Sequence, residues 1–294
     1  PYIPHREEEG YGLNHEALRT LAEQGARVVL TVDCGIRSVA EAETARELGI
    51  DLIITDHHMP GDELPRAFAL INPKQPGDLY PEKMLAGVGI AYKLAQGLVR
   101  AAAAKAGGSS PIMGSDVLDL VALGSVADLA PLAGENRVLV RQGLQVMNRP
   151  PDRIRREGLR SMFLSAGIKP GKVDAGTIGF VIGPRLNAAG RLESALDAYE
   201  LMTTSDIYRA GYLAQQLEVQ NRERQALTRE THLRARELAL ARDPEARLLF
   251  AAHADFRHGI VGLAASRLTE EFYRPSIVAR IEDDTVRASC RSIK

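Results

Sequence analysis

Residues 26–33 read ARVVLTVD, and residues 50–58 read IDLIITDHH. In each stretch a run of apolar, largely β-branched residues ends on polar groups, a pattern typical of strands. Between them, residues 39–48 have helical character, and Gly49 takes the position that favours glycine just past a helix end. Strand, helix and strand in this order predict a βαβ unit and therefore a parallel sheet.

A third apolar run, at residues 67–71, ends at Asn72. Polar residues therefore follow successive strands, at the carboxyl edge where open parallel sheets build their sites. Residues 177–182 form a short apolar run that meets an irregular segment at residues 183–191. Further helices are predicted at residues 85–104, 116–123 and 135–147.

The pattern changes after residue 204. A long polar helix is predicted from residue 205 to the break at Asp243 and Pro244, and beyond it two strands enclose a helix in a second βαβ-like unit. The fold class predicted is α/β, with a parallel-sheet domain linked by the long helix to a smaller α/β domain. The predicted boundaries are 1–204 for the first domain, 205–242 for the connecting helix and 243–294 for the second domain.

Composition narrows the class of protein. With 45% hydrophobic and 26% charged residues, the chain has the make-up of a globular protein. No apolar run approaches the roughly 18 residues that a membrane helix needs, and two cysteines form no disulfide scaffold, which favours a reducing, cytoplasmic location. A net charge of −1 and the absence of Trp argue against a strongly basic or base-stacking surface. Binding to nucleic acid would therefore depend on a local groove.

The triplet Asp56, His57 and His58 is the sharpest local feature. Imidazole and carboxylate groups are good ligands for Mn²⁺, Fe or Zn²⁺, and Asp33, at the end of a neighbouring strand, could join them. Two metals about 3.5–4 Å apart can activate a water and stabilise the leaving oxygen of a phosphate ester. The alternative is an incidental, solvent-exposed histidine pair. For Asp128 the residues alone favour a cap or turn aspartate before Pro131.

Two arginine-containing segments are candidate phosphate contacts, because the arginine fork suits phosphate oxygens. One is residues 183–191, GPRLNAAGR, which contains Arg185, Asn187 and Arg191. The other, near the end of the chain, contains Ser289 and Arg291. The alternatives are a tight turn with solvated arginines for the first segment and an edge strand with outward polar residues for the second.

Residues 31–35 (TVDCG) followed by residues 55–58 (TDHH) resemble the DHH phosphoesterase superfamily and, within it, the RecJ single-strand-specific exonucleases. A DHH triplet alone would be weak, but further stretches resemble RecJ in the same order along essentially the whole chain. They are residues 2–6 and 9–13, 85–89 (LAGVG), 122–128 (ALGSVAD), 183–191, 258–262 (HGIVG) and 265–267.

This resemblance implies a DHH domain joined by a long helix to a DHHA1 domain, and 5′-to-3′ hydrolysis of single-stranded DNA with Mn²⁺ or Mg²⁺. It implies that Asp33 bridges two metal ions, that His57 and Asp128 are metal ligands, that His58 contacts the scissile phosphate or a metal, and that Asp56 orients a histidine. The partners implied are single-stranded DNA and, in recombination and repair, a single-strand-binding protein and a helicase, with the enzyme itself a monomer. Arg6, Arg185, Asn187, Arg191, Ser289 and Arg291 are the candidates for contacts with DNA phosphates.

Two family features are not found in these residues: an Asp-x-Asp-x-x-Gly motif before Asp33 and a Gly-Gly-His motif after Arg291. We therefore expect an internal fragment with little or no activity by itself. Two alternatives stay open. One is a DHH phosphodiesterase for short oligonucleotides or cyclic dinucleotides, and the other is a non-catalytic DHH scaffold protein.

Overall fold

The computed structural model describes residues 1–4, 9–106, 114–192 and 195–293. These residues form two compact units that divide between Gly183 and Pro184. The domain boundaries predicted at residues 204 and 242 remain predictions. Within the described ranges, none of the helices combines the length and the apolar character needed to cross a membrane.

The first unit contains a three-stranded parallel sheet in the order β1–β2–β3, which confirms the predicted α/β class and parallel pairing. Strand β1 pairs with β2 along its length, from Val28 opposite Asp51 to Val32 opposite Thr55. The strands are β1 (Val28–Val32), β2 (Asp51–Thr55) and β3 (Ala69–Ile71).

Helices α1 and α2 pack against this sheet and bury Leu52 and Ile54 of β2, whereas Val28, Leu30 and Val32 of β1 are exposed. Helix α2 connects β1 to β2, and Gly49 follows it with φ +70°, as predicted for a glycine after a helix end. The helices are α1 (His15–Glu23), α2 (Val39–Glu47), α3 (Gly87–Ala106), α4 (Leu118–Ala127), α5 (Gly134–Met147), α6 (Glu157–Ser165) and α7 (Ala175–Thr177).

The prediction of an irregular segment at residues 183–191 is wrong. The chain forms a π-helix at Ile178–Ile182 and continues directly into helix α8 (Gly183–Leu192). A proline inside a helix loses one hydrogen bond and crowds the preceding turn, and here a π-helix immediately precedes the turn that contains Pro184. Ala188 and Ala189 are fully buried, so packing outweighs the low helix propensity of the glycines.

The second unit contains a mixed sheet in the order β4–β5–β6, with β4 parallel to β5 and β5 antiparallel to β6. Helix α10 is 36 residues long and begins after Asp206, whose carboxylate accepts hydrogen bonds from two N–H groups of the first turn. The elements are α9 (Leu196–Thr203), α10 (Ile207–Arg242), β4 (Leu249–His253), α11 (His258–Phe272), β5 (Ser276–Ile281) and β6 (Val286–Arg291).

Candidate metal centre

Asp33 lies immediately after β1, and its N–H extends the ladder by donating to the carbonyl of Thr55 at 3.0 Å. Its φ is +66°, a left-handed conformation that is uncommon for a residue with a side chain. The hydroxyl of Thr31 donates to the carbonyl of Cys34 at 2.8 Å, which closes this turn. The backbone therefore holds Asp33 at the carboxyl edge of the sheet.

His57 follows the neighbouring strand β2 and faces Asp33. Its Nε2 lies 2.9 Å from Oδ1 of Asp33 and 3.5 Å from Oδ2 of Asp128. Both His57 Nε2 and Asp33 Oδ1 are buried, and neither makes a hydrogen bond of normal geometry. Such donor atoms, held together without hydrogen-bond partners, fit a cation that binds among them.

His58 completes this group. One donor atom each from Asp33, His57 and His58 lies within 4.8 Å of the other two, and the two imidazole rings are 4.5 Å apart between centroids. Imidazole nitrogens and a carboxylate oxygen form a donor set that suits Mn²⁺ and other divalent transition metals. The predicted convergence of Asp33 with the histidines is therefore observed.

Asp56 is buried and holds both histidines in place. Its Oδ1 lies 2.6 Å from Nδ1 of His58 and accepts the N–H of His57 at 2.7 Å, while its Oδ2 accepts the N–H of Ile36 at 3.0 Å. Burial alone would raise the pKa of Asp56, but these hydrogen bonds outweigh burial and lower the pKa. The charged carboxylate thus orients His58 so that its other ring nitrogen can face a ligand.

Asp128 follows helix α4 in a turn, as its sequence context suggests, and its N–H donates to the carbonyl of Gly124 at 2.9 Å. Its carboxylate nevertheless approaches His57 from a part of the chain distant in sequence. Burial is the main cause that raises the pKa of Asp128, and the charge of Asp33 adds to the rise. Contact with Asp33 is the main cause that raises the pKa of His57, against the effect of burial. Crowded carboxylates of this kind favour a bound cation.

The structure adds two supporting residues, Asn72 and Gly87, that the sequence analysis does not name as site residues. Asn72, fully buried after β3, donates from Nδ2 to the carbonyl of His58 at 2.9 Å and accepts the N–H of Lys74 at 2.8 Å. Gly87, the first residue of α3, lies against Asp33, and a Cβ atom there would be 2.4 Å from Asp33 Oδ1. The position of Asn72 after a strand was a usable signal, whereas nothing local to Gly87 indicated its contact.

Cys34 is not a nucleophile in this arrangement. Burial raises the pKa of its thiol to about 11, and the charges of Asp56 and Asp33 contribute to the rise. A thiol with that pKa is protonated at neutral pH, and the thiolate is the reactive form. The environment of Cys34 is therefore that of a packed, protonated thiol.

In the second unit, Arg291 is oriented by hydrogen bonds from its guanidinium. Its Nε donates to Ser266 Oγ at 3.1 Å, and its Nη1 donates to Ser289 Oγ at 3.0 Å and to the carbonyl of Cys290 at 2.7 Å. Strand β6 carries Ser289 and Arg291 at the edge of its sheet, as the edge-strand alternative predicts. Within the described part of the chain, no carboxylate lies within ion-pair distance of Arg291, so an exposed, oriented cation faces solvent.

The remaining predicted phosphate contacts are Arg185, Asn187, Arg6 and Arg191. Arg185 is largely buried and its Nε donates to Glu218 Oε2 at 2.6 Å, so a carboxylate already balances its charge. Asn187 is exposed on helix α8. Arg6 and the side chain of Arg191 lie outside the described residues.

Comparison with known proteins supports the family assignment. Residues 1–125 match the family described as "DHH family, N-terminal domain". The single-stranded-DNA-specific exonuclease RecJ of Bacillus subtilis (strain 168) is 41% identical over 295 residues, which cover 100% of this chain and 36% of that protein. RecJ of Escherichia coli (strain K12) is 39% identical, with 99% of this chain and 52% of that protein covered.

Solved structures also support this family assignment. A crystal structure of exonuclease RecJ bound to manganese matches with a TM-score of 0.83 and 34% identity, over 100% of this chain and 70% of that one. The chain belongs to the RecJ family. RecJ from Thermus thermophilus in complex with Mn²⁺ matches with a TM-score of 0.80 and 32% identity, over 95% of this chain and 39% of that one.

The RecJ resemblance predicted from ordered motifs is therefore confirmed. The chain spans 36% of the RecJ of B. subtilis and 52% of that of E. coli, so it corresponds to part of each of these proteins. RecJ structures with manganese and with magnesium are among the matches. The donor set of Asp33, His57 and His58 in this RecJ-family chain suits ions of that class.

Proposed function

We propose that this chain carries the catalytic core of a divalent-metal-dependent exonuclease that degrades single-stranded DNA from 5′ to 3′. The observation that carries this proposal is the convergence of Asp33, His57 and His58, with two buried donor atoms that make no hydrogen bond. These groups come from the ends of two neighbouring parallel strands, where α/β proteins build their sites. The preference for single-stranded DNA is proposed from the relatives named RecJ.

Asp33, His57, His58 and Asp128 would hold Mn²⁺ or Mg²⁺, with Asp33 bridging two ions and Asp128 completing the ligands of one. Such ions, when bound, supply the charge that activates water and stabilises the oxygens of a phosphodiester during in-line displacement. Asp56 would keep His58 oriented through the contact of 2.6 Å between Oδ1 and Nδ1. His58, the most exposed of the ligand group, would be the side chain nearest an incoming phosphate.

The domain arrangement is also part of the proposal. Residues 1–204 would form the DHH domain, α10 within residues 205–242 would be the connecting helix, and residues 243–294 would belong to the DHHA1 domain. The parallel strands β4 and β5 on either side of α11 support a separate α/β domain at the end of the chain. Arg6, Arg185, Asn187, Arg191, Ser289 and Arg291 would contact DNA phosphates.

We also propose a cellular setting, which rests on the family resemblance of the sequence. We place the protein in the cytoplasm, as a monomer in recombination and repair, with a single-strand-binding protein and a helicase as partners. The free cysteines Cys34 and Cys290 are compatible with a reducing compartment.

The choice of substrate tests the proposal directly. We expect the intact enzyme that contains this core, with Mn²⁺, to release nucleotides from single-stranded DNA and to leave a blunt duplex, a cyclic dinucleotide and pyrophosphate intact, whereas the 294 residues by themselves should show little or no activity. Loss of label from a 5′-labelled strand before shortening of a 3′-labelled strand would establish the polarity. Faster cleavage of cyclic dinucleotides or dinucleotides than of a longer oligonucleotide would instead assign the protein to the small-substrate DHH phosphodiesterases. Binding without any cleavage would indicate a non-catalytic scaffold.

Replacing Arg291 tests the proposed phosphate contact. We expect Arg291→Lys to weaken binding of single-stranded DNA about tenfold, because lysine cannot keep the fork held by Ser266 and Ser289. Fluorescence anisotropy with a labelled oligonucleotide in EDTA would measure this change. Arg287→Lys on the same strand, at an exposed position, is the matched control and should bind as the wild type. Equal affinities for all three proteins would remove Arg291 from the DNA-binding surface.

A further inference from the structure

The middle of helix α10 buries a row of polar side chains. Asn221, Thr228 and Thr231 are each less than one-tenth exposed, and with Arg224 they are spaced three or four residues apart. Residues at that spacing lie on one face of a helix. A buried face of this kind is normally apolar, so this stretch of α10 needs an explanation beyond core packing.

Arg224 is the unusual member of the row. Its Nε is buried and makes no hydrogen bond, while its Nη2 donates to Asn221 Oδ1 of the same helix at 2.9 Å. Neighbouring arginines are balanced: Arg222 pairs with Glu218, and Arg236 pairs with Glu271. Among the described residues, no carboxylate lies within ion-pair distance of Arg224. Arg224 is partly buried, and a partly buried charge without a counter-charge is destabilising.

A second arginine, Arg267, adds to the uncompensated positive charge of this unit. Arg267 is exposed on α11, next to the buried Leu268 through which α11 joins the core that it shares with α10. The described residues include no carboxylate partner for Arg267 either. Burial lowers the pKa of Arg224, and the positive charges of Arg267 and then Arg185 lower it further. Ion pairs of Glu223 with Arg257 and of Arg236 with Glu271 align α11 with this stretch of α10, so Arg224 and Arg267 lie on packed helices of one unit.

We propose that Arg224 and Arg267 form an anion-binding site that takes phosphate groups. Two uncompensated guanidinium groups supply a fork geometry and charge that match phosphate oxygens. Beyond the bond to Asn221, the guanidinium of Arg224 has no acceptor among the described residues, and an anion would supply one. These two arginines are distinct from Ser289 and Arg291 and from the metal centre.

The phosphate could belong to a nucleic-acid backbone or to a free anion, and the proposed function favours the backbone of single-stranded DNA. Only the assignment of the phosphate to single-stranded DNA rests on the proposed function. The anion site itself depends on no cleavage, so its test is made in EDTA, where divalent metal is removed. A protein that fails to cut DNA can therefore still support the site, and an active nuclease can still fail this test.

The experiment compares Arg224→Gln, Arg267→Gln and the wild type by thermal unfolding and by binding of a labelled dT oligonucleotide. We expect millimolar pyrophosphate or the oligonucleotide to raise the unfolding temperature of the wild type, since a ligand of the folded state stabilises it. Both variants should lose that rise and bind the oligonucleotide about tenfold more weakly. The slope of log affinity against log salt should fall by about 0.7 for each phosphate interaction that a variant removes.

Arg229→Gln is the matched control, because Arg229 is exposed on the same helix and the change removes the same charge. It should keep the anion effect of the wild type. Without anion, Arg224→Gln should unfold at the same or a higher temperature, since an unpaired charge has been removed from the helix interface. An effect of the oligonucleotide without one of pyrophosphate identifies the nucleic-acid backbone as the source, and equal effects identify a free phosphate.

Two outcomes would overturn the site. In the first, Arg224→Gln lowers the unfolding temperature without anion but retains the full anion-dependent rise, which would make Arg224 a structural residue. In the second, Arg229→Gln loses as much oligonucleotide affinity as Arg224→Gln and Arg267→Gln do. That result would mean that binding senses the total charge of the helix and not a site at these two arginines.

Discussion

Asp33→Asn should abolish Mn²⁺ binding at the strand ends and, in the intact enzyme, lower nuclease activity by about a hundredfold to a thousandfold, the scale seen when a preorganised electrostatic group is removed. Asparagine keeps the shape of the side chain but loses its negative charge. Oδ1 of Asp33 lies 2.9 Å from His57 Nε2, so the change acts on the atom closest to the second ligand. Calorimetry with Mn²⁺ and release of nucleotides from single-stranded DNA measure the two effects.

The same substitution should leave the fold intact. In the absence of metal, Asp33 and Asp128 repel each other, since the charge of Asp33 helps to raise the pKa of Asp128. The loss of this repulsion offsets the weaker contact with His57, so the unfolding temperature without metal and DNA binding in EDTA should both change little. Asp51→Asn is the matched control, because Asp51 is exposed at the opposite end of β2. Wild-type Mn²⁺ affinity in Asp33→Asn would contradict the assignment of this ligand.

The sheet of the first unit was predictable because its signals are local. The apolar runs that became β1 and β2 end where the polar residues begin, and Gly49 marks the end of α2 with its positive φ. The helix over Gly183–Leu192 was not predictable in this way. There the local signals of Gly183 and Pro184 oppose a helix, and the burial of Ala188 and Ala189, a tertiary effect, decides the outcome.

The candidate site shows the same division between local and distant information. His57 and His58 follow a strand, and the parallel topology alone predicts that Asp33 will meet them. Asp128 comes from the end of a helix far further along the chain, and its own surroundings indicate a turn residue. Its approach to His57 depends on how α4 packs, which no short motif specifies. In the sequence, the family resemblance was the signal that identified it.

The contact of Gly87 with Asp33 is visible only in the packed structure, and substitution of Gly87 gives the second of the two large effects expected here. We expect Gly87→Ala to weaken Mn²⁺ binding about 10- to 100-fold, as the loss of a group that orients a metal ligand does, with a parallel loss of activity. A Cβ atom on residue 87 would lie 2.4 Å from Oδ1, 2.7 Å from Cγ and 2.9 Å from Cβ of Asp33. Rotation of the carboxylate relieves the first two contacts but not the third.

Asp33 cannot yield easily, because its φ of +66° is set by the turn that follows β1. The start of α3 or the position of Asp33 must therefore shift, and either movement separates Asp33 from His57. Gly97→Ala is the matched control: it lies on the same helix, and a Cβ atom there would meet nothing within 4 Å. That change should stabilise the protein by about 1 kcal/mol through helix propensity and leave Mn²⁺ binding unaltered.

Comparing Mn²⁺ affinity with thermal stability distinguishes a role of Gly87 in positioning Asp33 from a general loss of stability. Overpacking at residue 87 should cost about 1–3 kcal/mol, and the gain in helix propensity offsets part of that cost, so Gly87→Ala should remain folded. Calorimetry with Mn²⁺ and thermal unfolding without metal, on the Gly87 and Gly97 variants together, give both quantities. If Gly87→Ala bound Mn²⁺ as tightly as Gly97→Ala, the close contact would have no role in holding Asp33. A loss of affinity in Gly87→Ala alone would show that the glycine positions the ligand.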